Sequence, residues 1–134
     1  MSTADRFTVK HFEGGLAFDI VESGPERAVS TMRVTSAMLN PFGTVHAGAM
    51  IWFADVTATV CAIGDPATVG ADGSGFPLAV DLHTVLAANQ RDGVLTATAV
   101  PVRRGKQLIV IRTDVTGDNG RLLISMTTTH VPAR

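Results

Sequence analysis

The apolar and polar positions change period along the chain. Gly15 to Glu22 (GLAFDIVE) and Ala28 to Thr35 (AVSTMRVT) are short β-like runs, split by a Ser23-Gly24-Pro25 turn signal. In the second run Ala28, Ser30, Met32 and Val34 share one face by the period of two. A different pattern follows. From Val34 to Gly64, Asp55 is the only residue with a formal charge. The later part, Ala47 to Ile63, is long enough for a helix and apolar on nearly every face, which predicts a helix buried on all sides. Asn40-Pro41-Phe42-Gly43-Thr44 before it is turn chemistry, and Gly64-Asp65-Pro66 ends it.

Asp65 to Gly75 (DPATVGADGSG) reads as a loop. Four strand candidates come next: Pro77 to Leu86, Val94 to Val102, Gln107 to Thr116 and Arg121 to His130. The breaks between them, Gln90-Arg91-Asp92-Gly93, Arg103-Arg104-Gly105-Lys106 and Gly117-Asp118-Asn119-Gly120, each contain a glycine. Asp-Asn-Gly is a strong hairpin signal. The second half therefore predicts an antiparallel meander. A helix covering one face of a curled antiparallel sheet is an α+β layer architecture.

At 134 residues the chain has room for one domain, spanning residues 1–134. Hydrophobic residues at 46% against 17% charged exclude a disordered chain. A formal net charge of -1 argues against nucleic-acid binding through bulk charge. The single cysteine, Cys61, forbids an intrachain disulfide and fits a reducing cytoplasm. The N-terminus lacks the basic and apolar regions of a secretory signal. The nearest approach to a membrane span, Ala47 to Ile63, carries Asp55 in its interior and reads as a core helix. A cytoplasmic protein with no membrane partner is the expectation.

Asp55 is the first candidate for chemistry. A helical Asp commonly sits on an exposed stripe, but the neighbours one turn away here are Ile51, Trp52, Ala58 and Thr59. A carboxylate in such surroundings needs a partner or a purpose. The second candidate is the helix start, Gly43-Thr44-Val45-His46-Ala47-Gly48. Small residues permit close approach, and the first amides of a helix are unpaired at the positive end of its dipole. Such amides can bind a developing oxyanion, although most glycine-rich helix starts are merely tight turns. Asn40 is the third candidate, beside its plain reading as a turn residue. For His11, His83 and His130 a satisfied or exposed side chain is the default, and no group of residues has metal-ligand spacing. Ala47 and Asp55 lie roughly 12 Å apart along one helix axis. They cannot both touch one carbonyl group from the same chain, but could do so from two helices antiparallel across a two-fold axis.

The run Asn40-Pro41-Phe42-Gly43-Thr44-Val45-His46-Ala47-Gly48, followed by Asp55, resembles the signature of hotdog-fold acyl-CoA thioesterases of the phenylacetate-pathway type. The likeness extends from about Leu16 to His130, through Ala79-Val80-Asp81-Leu82, Arg104-Gly105-Lys106 and Gly120-Arg121-Leu122. It implies a hotdog fold, a curved antiparallel sheet wrapped around one long central helix, in a dimer or dimer of dimers. The implied reaction is hydrolysis of an acyl-CoA thioester, with coenzyme A part of the substrate and no separate cofactor. In this resemblance Asp55 matches the family's acid, as nucleophile or general base. The Ala47 N–H matches the amide that polarises the thioester carbonyl, within the His46-Ala47-Gly48 step. Asn40 matches the residue that orients the water or thioester, and His46 one that supports the loop. Arg103, Arg104 and Lys106 lie at a turn that can approach coenzyme A phosphates, or be simply solvated. The sequence departs from the family pattern at Ala47, where a glycine is usual, and at Ala79, where many relatives carry Ser or Thr.

Two other function classes compete. A hotdog that binds acyl-CoA without cleaving it has little use for a buried Asp55. A hotdog dehydratase or hydratase needs a His paired with an acid across the site, and His46 with Asp55 is poorly spaced for that.

Overall fold

A computed structural model describes residues 15–134; His11 lies outside them. Among the described residues six strands form one antiparallel sheet: β1 (Asp19–Glu22), β2 (Ala28–Arg33), β3 (Pro77–Leu86), β4 (Val94–Arg104), β5 (Ile109–Thr116) and β6 (Leu122–Pro132). One long helix, α1 (Ala47–Ile63), connects β2 to β3 and packs against the sheet. The spatial order is β1-β2-β4-β5-β6-β3. Together these make an α+β hotdog fold, with a curved sheet about a single helix.

The apolar pattern explains the core. Successive strand residues point to opposite faces, so Leu95, Ala97 and Ala99 of β4, Ile111, Thr113 and Val115 of β5, and Ile124, Met126, Thr128 and His130 of β6 all turn inward and are buried. Against them α1 sets Ala49, Met50, Phe53, Ala54, Thr57, Ala58, Cys61 and Ala62. Side chains such as Phe53, Met50 and Met126 are fully buried, each worth about 1.5–3 kcal/mol. Phe18 places its ring edge-to-face on both Trp52 and Phe53, at 4.9 and 5.0 Å between centroids.

The tertiary structure corrects the sequence expectations at several points. The second half is not one consecutive meander. Only β4-β5-β6 follow one another in space, while β3 crosses to the far edge and pairs with β6 from Pro77↔Pro132 to Leu86↔Ile124. Local patterning marks strands but carries no information on which distant strand accepts them. Arg103 and Arg104 are not turn residues, because β4 runs through them to pair Arg104 with Ile109. The helix is not enclosed on all sides in a single chain: Gly48 and Trp52 are exposed, and the flank they mark continues through half-buried Asp55, Val56, Thr59 and Ile63. The hairpin signal is where expected, with Asn119 and Gly120 both at positive φ (63° and 71°) between β5 and β6.

Both ends of α1 are finished by specific contacts. At the start, the His46 side chain accepts from the Gly48 N–H. At the end, Gly64 adopts φ 65° and returns its N–H to the Val60 carbonyl. The Arg104 guanidinium then donates to the carbonyls of Cys61, Ala62 and Pro25 at 2.8–2.9 Å, placing a cation at the negative end of the helix. Burial raises the pKa of Cys61 in this last turn, against the opposing pull of Arg104. A Cβ at Gly64 would stand 3.0 Å from Pro25 and force a strained backbone. Gly64→Ala is therefore expected to cost about 1 kcal/mol or more, read as a lower urea midpoint with an unchanged slope.

Candidate active site

The start of α1 is built by a loop that satisfies itself. Asn40 Oδ1 accepts from the N–H groups of Phe42 and Thr44, and its Nδ2 donates to Thr44 Oγ1 at 2.6 Å. The main chain of the loop is closed by Asn40 N–H to the Thr44 carbonyl and by an isolated bridge between Leu39 and Val45. Asn40 thus acts locally as the turn residue that its plain reading describes. Asn40 also lines a cavity of about 600 Å3 with Met38, Pro41, His46, Gly48 and Ala49.

His46 caps the helix. Its Nδ1 accepts from the Gly48 N–H at 2.8 Å, so that nitrogen carries no proton. Its own N–H donates to the Met38 carbonyl at 2.7 Å. The cap uses the amide of Gly48 and leaves that of Ala47 without a hydrogen bond among the described residues. Gly48 leaves room for this cap, since a Cβ there would stand 3.0 Å from the His46 ring and press on it. An open amide at the positive end of a seventeen-residue helix can stabilise negative charge on an approaching oxygen.

Asp55 sits two turns further along, on the flank of α1 that the sheet leaves partly open. Its Oδ1 is buried and finds no hydrogen-bond partner among the described residues. Thr59 bonds to the main-chain carbonyl of Asp55, not to the carboxylate. A buried carboxylate oxygen without a partner is costly in a finished structure. Within one chain, therefore, the structure does not bring the Asp55 carboxylate and the Ala47 amide into contact with a common group.

The floor of the sheet near Asp55 is polar. His130 is fully buried on β6. Its Nδ1 faces the Pro77 carbonyl at 3.4 Å and its Nε2 faces Thr128 Oγ1 at 2.8 Å. A carbonyl can only accept, so Nδ1 carries the proton and the Thr128 hydroxyl donates to Nε2. His130 is thus the satisfied histidine expected by default. Its inward position was readable from its alternation with Met126 and Thr128. Burial lowers its pKa, while the Pro77 hydrogen bond and the negative charge of Asp55 oppose that shift. Thr84 on β3 and Thr113 on β5 also hold buried hydroxyls without partners among the described residues.

Arg103, Arg104 and Lys106 divide in role. Arg104 is committed to the C-terminal carbonyls of α1. Arg103 and Lys106 are exposed. Asn89 was not among the residues singled out from the sequence, yet it grips the loop before α1: its Oδ1 accepts from the Val45 N–H and its Nδ2 donates to the Val45 carbonyl. A polar residue in the short Ala87-Ala88-Asn89-Gln90 link was the only available signal.

Comparison with known proteins shows what the chain is similar to. No family model matches the chain. It is 28% identical over 108 residues to a 1,4-dihydroxy-2-naphthoyl-CoA hydrolase of Listeria monocytogenes serotype 1/2a, covering 81% of this chain and 84% of that protein. A solved mutant of a thioesterase from Staphylococcus aureus subsp. aureus Mu50 superposes with a TM-score of 0.76 at 26% identity, over 87% of this chain and 93% of that one. A hypothetical thioesterase of Streptococcus pneumoniae TIGR4, solved with coenzyme A, has the same fold, with a TM-score of 0.76 at 20% identity over 87% and 89% of the two chains. The chain thus shares its hotdog fold with solved thioesterases and is similar in sequence to a CoA hydrolase.

His130 yields a test of the buried polar floor. A histidine held neutral by burial resists protonation when native, so the unfolded chain takes up the proton first. Its contribution to stability is complete above the unfolded imidazole value of about 6.5 and declines as the pH falls below it. The urea midpoint should drop between about pH 7 and about pH 5, and His130→Gln should flatten that part of the profile.

Proposed function

We propose that the chain hydrolyses an acyl-CoA thioester to a free acid and coenzyme A, in a site completed by two copies of the chain. The observation that carries this reading is the pair of unpartnered groups on one helix: the open Ala47 amide and the buried Asp55 Oδ1. The similarity to the Listeria CoA hydrolase supports the choice of thioester.

In this reading the Ala47 N–H of one copy donates to the thioester carbonyl oxygen and stabilises the charge that grows on it. Asp55 of the second copy supplies the base or the nucleophile. As a base, it takes a proton from water as the water oxygen bonds to the acyl carbon, and the C–S bond then breaks to release coenzyme A. As a nucleophile, it forms a mixed anhydride with the acyl group as the thiolate leaves, and water then hydrolyses that anhydride. Asn40 and His46 keep the helix start in shape. In an antiparallel pair of helices, the C-terminal end of one α1 lies beside the start of the other. Arg103 and Lys106, near that end, are thereby placed to meet the coenzyme A phosphates.

The exposed surface supports association. The edge strand β3 leaves Leu78, Val80, Leu82, Val85 and Leu86 exposed, and Trp52 lies 36% exposed on α1. A ten-residue apolar edge with unpaired main-chain groups is a template for another strand. We propose that a second copy covers β3 and the open flank of α1. Sedimentation at micromolar concentration should give at least twice the 14.0 kDa chain mass, and a stable monomer would refute the two-copy site.

The decisive variant is Asp55→Asn. It keeps the shape of the side chain and removes the basic, nucleophilic carboxylate. Hydrolysis should fall by about 10²–10⁴-fold, while folding, association and acyl-CoA binding persist. Thiol release from benzoyl-, phenylacetyl- and medium-chain acyl-CoA, followed with a thiol dye, measures it. Near wild-type turnover would overturn the assignment, whereas loss of folding would mark Asp55 as structural.

A further inference from the structure

Val45 is held from both sides. On one side it bridges to Leu39, and the following N–H, of His46, donates to the Met38 carbonyl at 2.7 Å. On the other side stands Asn89, in the connection between β3 and β4. Its Oδ1 accepts from the Val45 N–H at 3.0 Å and its Nδ2 donates to the Val45 carbonyl at 2.8 Å. An Asn in a connection usually bonds its own neighbouring backbone. This one reaches back 44 residues and behaves as a strand partner would, satisfying both main-chain groups of one residue. Asn89 is itself fixed: its Oδ1 also accepts from the Gln90 N–H, and its carbonyl accepts from the Arg121 guanidinium at the start of β6. Arg91 adds a bond to the Phe42 carbonyl in the same loop.

Val45 is fully buried and lies two residues before Ala47. Its position therefore sets where the first amides of α1 point. We propose that Asn89 is a positioning residue for the Ala47 amide, tying the helix start to the sheet so that this donor is held in place before substrate arrives. The inference rests on the proposed thioesterase reading and deepens it. A preorganised donor gains its effect from geometry, and a displacement of about 1 Å away from the chemistry can cost about 10²-fold in rate. Without Asn89 the Val45 N–H still has the Gln90 carbonyl at 3.2 Å, so the loop keeps one anchor and the fold should survive. The Val45 carbonyl would lose its only donor among the described residues.

Two variants test this. Asn89→Ala removes the whole grip; Asn89→Asp has the same shape and keeps the acceptor but has no N–H for the Val45 carbonyl. Steady-state thiol release from the best acyl-CoA should show kcat reduced by about 10²-fold in Asn89→Ala, with KM little changed. Amide hydrogen exchange by NMR should quicken at Val45 and His46, the hydrogen-bonded amides just before Ala47, and stay unchanged in β4, β5 and β6. If Asn89→Ala does not fold, Asn89→Asp carries both measurements, with kcat reduced in the same direction. The proposal is overturned by unchanged kcat, by unchanged exchange at Val45 and His46, or by a loss of activity that only tracks a loss of folded protein. A wild type that cleaves no acyl-CoA would refute the thioesterase reading and, with it, any catalytic role for Asn89; the exchange arm would still decide whether Asn89 holds the helix start.

Discussion

The burial of one stripe of α1 against the inward face of β4, β5 and β6 is the contact on which the rest of the molecule depends. The stripe runs through Ala49, Met50, Phe53, Ala54, Thr57, Ala58, Cys61 and Ala62, and half of it is alanine. Small side chains let the helix lie close to the sheet. The strands answer with their own small residues, Ala97 and Ala99, and with Leu95, Ile111 and Met126. Once this layer forms, the rotation of α1 is set. Asp55 then falls on the flank toward the buried polar floor, and Gly48 and Trp52 fall outside.

That rotation separates the two ends of the helix by function. The C-terminal end is closed: Gly64 turns the chain, and Arg104 occupies the carbonyls of Cys61 and Ala62. The N-terminal end is only partly closed. His46 uses the Gly48 amide and leaves that of Ala47. The loop that carries it is braced internally by Asn40 and externally by Asn89 and Arg91. These polar side chains thus brace the surroundings of an amide that has no hydrogen bond among the described residues. The proposed oxyanion site would draw its preorganisation from this bracing.

The sheet contributes a second asymmetry. Its inward face is mostly apolar, with buried polar residues at Ser30 and Thr113 and, on β6, at Thr128 and His130. The negative charge of Asp55 opposes the lowering of the His130 pKa by burial. The sheet also carries the exposed apolar edge β3. An unpartnered carboxylate oxygen, buried hydroxyls and an apolar strand edge are all features that a second copy would complete.

Much of this was legible in the residues themselves. The bounds of α1 and β3 follow from composition, because an apolar run ended by Gly64-Asp65-Pro66 or opened by Pro77 has few other local solutions. Asp55 stood out as the lone charge in an apolar stretch, and Gly43 to Gly48 as a small-residue helix start. What only the tertiary structure decided depends on contacts between residues far apart in the chain. The place of β3 beside β6 is one, since a strand's own alternation does not name its partner. The extension of β4 through Arg103 and Arg104 is another, because pairing with β5 overrides two adjacent charges. The turning of Arg104 onto α1 and of Asn89 onto Val45 are of the same kind. Hydrogen bonds spanning 43 and 44 residues leave no local periodicity to read. The sequence by itself determined which segments become helix or strand and which charge is out of place. The packed sheet alone decided which polar side chains reach across it, because only packing fixes the directions in which they point.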